Sequence, residues 1–136
     1  MTDVVLDASV VMKWFHADGE RHLAQARSLR EAFEAGELVV FAPPLLGLEI
    51  VNVAGRRWRW DESALVELAA ALDEIGFELI EPELVRVAHW TAHGLTAYDA
   101  AYVAIAEAAK TRLVTDDDLI VTVAGETAMA LADTQP

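Results

Sequence analysis

The chain has no cysteine, which excludes disulfides and thiolate metal sites and leaves its redox compartment open. Basic residues are scarce: ten Lys and Arg stand against 23 Asp and Glu, for a net charge of −13 in 136 residues. A field of that sign repels nucleic acid unless cations intervene or the basic side chains cluster. No apolar run approaches the ~20 residues of a membrane span. The N-terminal "MTDVVLDASV" has no basic segment ahead of a long apolar stretch, so neither a leader nor a membrane anchor is expected and the expected location is the cytoplasm. Gly-rich phosphate loops of the Walker or dinucleotide type and the G-x-S-x-G elbow are missing as well, so nothing supports a nucleotide cofactor.

Apolar residues are plentiful, at 54% of the chain with a mean hydropathy of +0.27. With glycine and proline scattered and no internal repeat, residues 1–136 are expected to form one domain. The excess of Ala, Val and Leu suggests a subunit interface in addition. Short β-prone runs at Val4–Leu6, Leu38–Phe41, Phe77–Ile80 and Leu113–Thr115 alternate with helical stretches near 20–35, 44–57, 62–75, 82–93 and 97–109. That alternation predicts an α/β fold, a central parallel sheet with helices on both faces. A further helix starts at "ASVVMKW", Pro44 and Pro82 suit first helical turns, and a weak last strand fits Ala128–Leu131.

Acids stand where strands should end. Asp7 follows the first strand, and Asp116, Asp117 and Asp118 follow the strand at 113–115. Residues just past the carboxyl ends of parallel strands line the ligand crevice. Glu49 interrupts an apolar stripe formed by Leu45, Leu46 and Val53, and Asp99 opens the most apolar helix of the chain. Each acid also has an ordinary reading. Asp7 or Ser9 fits a helix cap, Thr96 and Asp99 fit a capping pair, and the triplet fits a turn. Glu49 caps nothing, and a mid-helix carboxylate on an apolar face is costly unless paired or metal-bound. If the four acids converge they need a counter-charge, and oxygen ligands without Cys or clear His partners suit Mg²⁺ or Mn²⁺.

Four segments together resemble the PIN-domain ribonucleases, and more narrowly the VapC toxins of toxin-antitoxin pairs. They are "VVLDASVVMKWF", "PPLLGLEIVNV", "GLTAYDAAYVAIAE" and "RLVTDDDL", in matching order and spacing over roughly residues 4–120. The resemblance implies a three-layer PIN-like fold and a metal-dependent endoribonuclease. It assigns the metal-binding, catalytic acids to Asp7, Glu49, Asp99 and Asp117, with Asp116 or Asp118 as alternatives for the fourth. Ser9, Asn52 and Thr115 match helper positions. The implied chemistry is in-line attack of an activated water on phosphorus, leaving 5′ phosphate and 3′ hydroxyl ends. A VapB-type antitoxin and a homodimer are likewise what the resemblance implies.

Other features carry two readings each. "GRRWRW" puts Arg56, Arg57 and Arg59 among Trp58 and Trp60, which suits single-stranded RNA, a helix end packed on its neighbour, or an antitoxin contact. His89 and His93, four apart, are one ligand short of a zinc site, and His93 fits a helix end. Lys13 fits a phosphate contact or a snorkelling side chain, and Trp14 and Trp90 fit core or interface anchors. The rival enzyme reading is a receiver or a phosphatase of the haloacid-dehalogenase type, but "LDASV" lacks the second aspartate of a DxD nucleophile motif. The rival outside enzymes is a PIN-like module that only binds RNA or protein.

Overall fold

Val4, Val5 and Leu6 are buried in strand β1 (Thr2–Leu6), which is why this stretch reads as an unbroken apolar run rather than an alternating one. The computed structural model describes residues 2–136. β1 is the centre of a five-stranded sheet in the order β3-β2-β1-β4-β5, parallel throughout. Its other strands are β2 (Leu38–Ala42), β3 (Glu78–Leu79), β4 (Leu113–Thr115) and β5 (Ala128–Ala130).

The helices are α1 (Ala8–Val11), α2 (Leu23–Glu34), α3 (Leu45–Arg56), α4 (Glu62–Glu74), α5 (Leu84–Ala92), α6 (Ala97–Ala109) and α7 (Asp118–Ala124). The chain winds outward from β1 to β3, then crosses back to β4 and winds the other way. Because such crossovers are right-handed, this reversal covers both faces of the sheet with helices. The α/β architecture expected from the sequence is therefore the observed one.

α6 packs against β1, β2 and β4, and every residue from Ala100 to Ala106 is buried. A helix apolar all round is a core helix, and the small side chains let it lie close to the sheet. At the exit of α2, Gly36 takes φ +75, so its N–H bonds the Phe33 carbonyl and that of Glu37 the Ala32 carbonyl. This left-handed stop turns the chain straight into β2.

Several expected boundaries shift. The third strand shrinks to Glu78–Leu79 because Phe77 turns its ring into a cluster with Trp14 and Phe33. The helix beginning at Ala8 ends at Val11 and tightens into a 3₁₀ turn at Met12–Trp14. Pro44 is the residue capping α3, and Pro82 lies ahead of the α5 cap, Glu83. α7 is not among the expected helices. Its "DLIVTVA" is β-branched, and Asp117 starts the helix by accepting from the Leu119 and Ile120 N–H groups.

Candidate functional site

The winding direction reverses between β1 and β4, and an open parallel sheet leaves a crevice beyond the strand ends at that point. Leu6 is in register with Val114, so Asp7 stands abreast of Thr115. Asp7 is 5% exposed. It occupies the cap position of α1 but caps no N–H, which corrects the capping reading for this residue. Instead it accepts from Ser9 Oγ at 2.6 Å and from Thr115 Oγ1 at 2.5 Å. The two hydroxyls also accept from the chain beyond β4: Ser9 Oγ from the Asp116 N–H at 2.9 Å, Thr115 Oγ1 from the Asp117 N–H at 3.1 Å. One network thus fixes the Asp7 carboxylate and the backbone of the aspartate triplet together.

Glu49 reaches this point from the second turn of α3, half-buried, and its Oε1 accepts from the Tyr102 hydroxyl at 2.5 Å. Asp99 reaches it from the first turn of α6, where its N–H bonds Thr96 Oγ1 at 3.1 Å, so the capping role expected of Thr96 is present.

The charges feel one another. Burial pushes Asp7 up to about 7 against the pull of Ser9 and Thr115, and the negative charges of Asp99 and Glu49 push it further. Burial also raises Glu49, opposed by the Tyr102 hydrogen bond and reinforced by Asp99. Asp99 is raised by burial and then by the charge of Asp117. The phenol of Tyr102 is pushed far upward by burial and by Glu49, so it remains a donor. Among the described residues, every ion pair goes to other acids, and these four carboxylates have no cationic partner.

The triplet divides three ways. Asp116 Oδ2 turns away to the Lys13 ammonium at 3.0 Å and Arg21 at 3.5 Å. Asp117 caps α7 through Oδ1 while its charge acts on Asp99. Asp118 is exposed in the first turn of α7. Lys13 neither snorkels nor offers itself to a phosphate. Its side chain is 1% exposed, and the ammonium lies between Asp116 and Glu20, the latter at 2.9 Å.

Two hollows flank the acids. One, of about 370 Å³, is lined by Leu45, Leu48, Asn52 and Tyr98 with Glu49 and Asp99. The other, of about 380 Å³, is lined by Ser9, Met12, Lys13, Glu20, Arg21, Arg57 and the triplet. Trp58 and Trp60 pack on the core and Trp58 stacks on His16 at 4.3 Å, so the tryptophans of "GRRWRW" follow the packed reading while the arginines stay exposed. Trp14 and Trp90 also pack on the core. His93 closes α5, and its Nδ1 lies 2.8 Å from the His89 carbonyl oxygen.

Among the described residues, no three His, Cys, Asp or Glu side chains close into a ready-made cation cage. The four acids are linked by charge instead: Asp99 and Glu49 act on Asp7, Asp99 acts on Glu49, and Asp117 acts on Asp99. Mg²⁺ keeps several waters and takes one or two carboxylates directly, so an all-oxygen basin of mutually repelling acids fits such an ion. Sequence reasoning missed Tyr102 as a site residue and Glu20 and Arg21 as partners. Tyr102 had a signal, its place one turn beyond Asp99 on the same helix face. The Glu20 and Arg21 contacts arise only from folding.

The PIN domain family model matches residues 4–126. Ribonuclease VapC1 of Mycobacterium tuberculosis (strain CDC 1551 / Oshkosh) is 29% identical over 131 residues, which cover 92% of this chain and 93% of that protein. Among solved structures, PAE2754 from Pyrobaculum aerophilum superposes with a TM-score of 0.65 at 22% identity, covering 97% of this chain and 93% of its own. FitAcB from Neisseria gonorrhoeae superposes with a TM-score of 0.69 at 13% identity, covering 96% and 99%.

Proposed function

The chain belongs to the PIN domain family, and from that premise we propose that it is a divalent-metal-dependent endoribonuclease, the toxin of a VapBC-type pair. The observation that carries this reading is the grouping of Asp7, Glu49, Asp99 and Asp117, whose charges act on one another with no cation among them. Kinship to a protein named Ribonuclease VapC1 along nearly the whole chain supports the substrate class.

In this proposal Asp7, Glu49, Asp99 and Asp117 hold Mg²⁺ or Mn²⁺. What the ion supplies when bound is a Lewis acid that makes water a better nucleophile and offsets charge on the phosphodiester. The protein's own part is positioning. Ser9 and Thr115 pin both oxygens of Asp7, and Tyr102 pins Glu49, so the basin keeps its shape while empty of substrate. Burial of Asp7 keeps bulk water from screening it. Cleavage leaves 5′ phosphate and 3′ hydroxyl ends.

The partners in this reading are RNA, a VapB-type antitoxin and a second copy of the chain. Exposed apolar side chains support protein contacts: Leu48 and Tyr98 beside the acids, and Leu84 and Val85 on α5. Among the described residues no helix is long and apolar enough to cross a membrane, and the expected compartment is the cytoplasm. The test is cleavage of RNA with and without Mg²⁺ or Mn²⁺ by wild type, Asp7→Asn and Asp99→Asn. Loss of even an outer partner of a metal ligand weakens binding about 10–100-fold, so each variant should lose at least about 100-fold in rate. Equal cleavage by wild type and variants in the same metal buffer would contradict the assignment.

A further inference from the structure

Few cations exist in this chain, so where they stand is informative. Arg30 is engaged by Glu34 and the Trp14 carbonyl, and Arg86 by Glu83 and Glu107. Lys110 and Arg112 precede β4, at the end of the sheet away from the acids. Of the remaining cations, Arg27, Arg56 and Arg59 line neither hollow beside the acids, whereas Arg21 and Arg57 both line the one that contains Asp117. Arg57 stands at the end of α3, and its guanidinium has no ion pair or hydrogen bond among the described residues. Arg21 is 61% exposed along its side chain and lies 3.5 Å from both the carboxylate and the carbonyl of Asp116, whose carboxylate shares the Lys13 ammonium with Glu20. A long, exposed pair of this kind is weak and exchangeable.

The hollow on the opposite flank is lined by Leu45, Leu48, Asn52, Thr96 and Tyr98 besides its two acids, and by no cation. Among the described residues the cations that line these two hollows, Lys13, Arg21 and Arg57, all stand in the one with Asp117, set among Glu20, Asp116 and Asp118, so a polyanion meets its guanidinium contacts on that side alone. We propose that Arg21 and Arg57 form a two-guanidinium ledge that grips backbone phosphates of single-stranded RNA next to the scissile bond, fixing the side on which the strand leaves the acids. Guanidinium forks match phosphate oxygens, and the "GRRWRW" turn is held in place by Trp58 stacked on His16, so the Arg57 end is preorganised. This inference rests on the ribonuclease reading and adds the direction in which the substrate runs.

The experiment compares wild type, Arg21→Ala/Arg57→Ala, Arg21→Lys/Arg57→Lys and a remote control, Arg112→Ala. Binding of a fluorescein-labelled single-stranded RNA of random sequence is followed against salt, and cleavage with Mg²⁺ or Mn²⁺ is followed in parallel. Every phosphate that is no longer neutralised lowers the slope of log affinity against log salt by about 0.7, so the double alanine variant should lose about 1.4. Affinity at low salt should fall on the order of tenfold or more, with KM raised and kcat kept. The lysine variant should keep the slope, and Arg112→Ala should match wild type. If the double alanine variant loses its fold, the single alanine variants each carry half of the change.

An unchanged slope in the alanine variant, with wild type still cutting RNA, overturns the ledge and leaves the nuclease reading intact. Wild type that binds RNA but never cuts it overturns the nuclease reading, and the slope comparison still decides the ledge. Wild type that does neither overturns both. Unchanged RNA binding with loss of a partner polypeptide's binding also overturns the ledge and reassigns the arginines to a protein interface.

Discussion

The hydroxyl of Tyr102 donates to Glu49 Oε1 at 2.5 Å, joining α6 to α3 at the carboxyl end of the sheet. Glu49 is raised by burial and lowered by this bond, while its negative charge keeps the phenol protonated. Tyr102→Phe should therefore raise the Glu49 pKa further and move the acidic limb of the pH–rate profile to higher pH. Mn²⁺ affinity should weaken about 10–100-fold, as for other outer partners of metal ligands. A calorimetric Mn²⁺ titration and a pH profile measure both, and an unmoved acidic limb would contradict the role of the bond.

Asp7 has a folded pKa of about 7 against an ordinary 3.8. Because the folded value is raised, the proton binds the folded state more tightly. The resulting stabilisation is fully present below about 3.8 and is lost as pH rises through about 7. At 1.36 kcal/mol per unit, this group alone removes on the order of 4 kcal/mol across that window. Asp7→Asn cannot ionise, so in chelator it should be more stable than wild type at pH 8 and no more stable at pH 4. Urea melts at the two pH values test this, and parallel pH dependence of the two proteins would refute it.

The fold and the inward turn of Glu49 were legible because local rules and tertiary burial agree there. The VVL run of β1 is buried as written, the apolar length of α6 does form the core helix, and Glu49, which caps nothing, does turn toward another side chain. The partners of the acids were less legible. Lys13 lies seven positions from Glu20 but over a hundred from Asp116, and no periodicity in the sequence marks that meeting. α7 was hidden because four β-branched side chains in "DLIVTVA" outweigh one capping aspartate in any local reading.

The Lys13 ammonium is buried between Glu20 and Asp116, so its removal leaves two acids without their shared counter-charge. Breaking a buried pair from one side is worth about 3–5 kcal/mol, and Lys13→Met should destabilise by that order in chemical denaturation. Asp116→Asn should do less harm, because Glu20 still holds the ammonium. A Lys13→Met loss below about 1 kcal/mol would mean that the pair behaves as a surface one.

The triplet offers the sharpest test of which aspartate serves the basin. Asparagine caps helices as well as aspartate, so Asp117→Asn should keep the bonds to the Leu119 and Ile120 N–H groups and change stability by no more than about 0.5 kcal/mol. It removes the charge that acts on Asp99, and with it a proposed ligand. RNA cleavage should then fall at least about 100-fold while the melting curve stays put. Asp118→Asn touches an exposed side chain in the first turn of α7 and should leave cleavage unchanged, with a helix-dipole loss of about 0.3–1 kcal/mol. Asp116→Asn releases Arg21 and half of the Lys13 pair, so its effect should fall on RNA affinity before turnover. Should Asp118→Asn abolish cleavage and Asp117→Asn spare it, the fourth carboxylate of the basin is Asp118, and α7 must shift from its observed start to bring it inward.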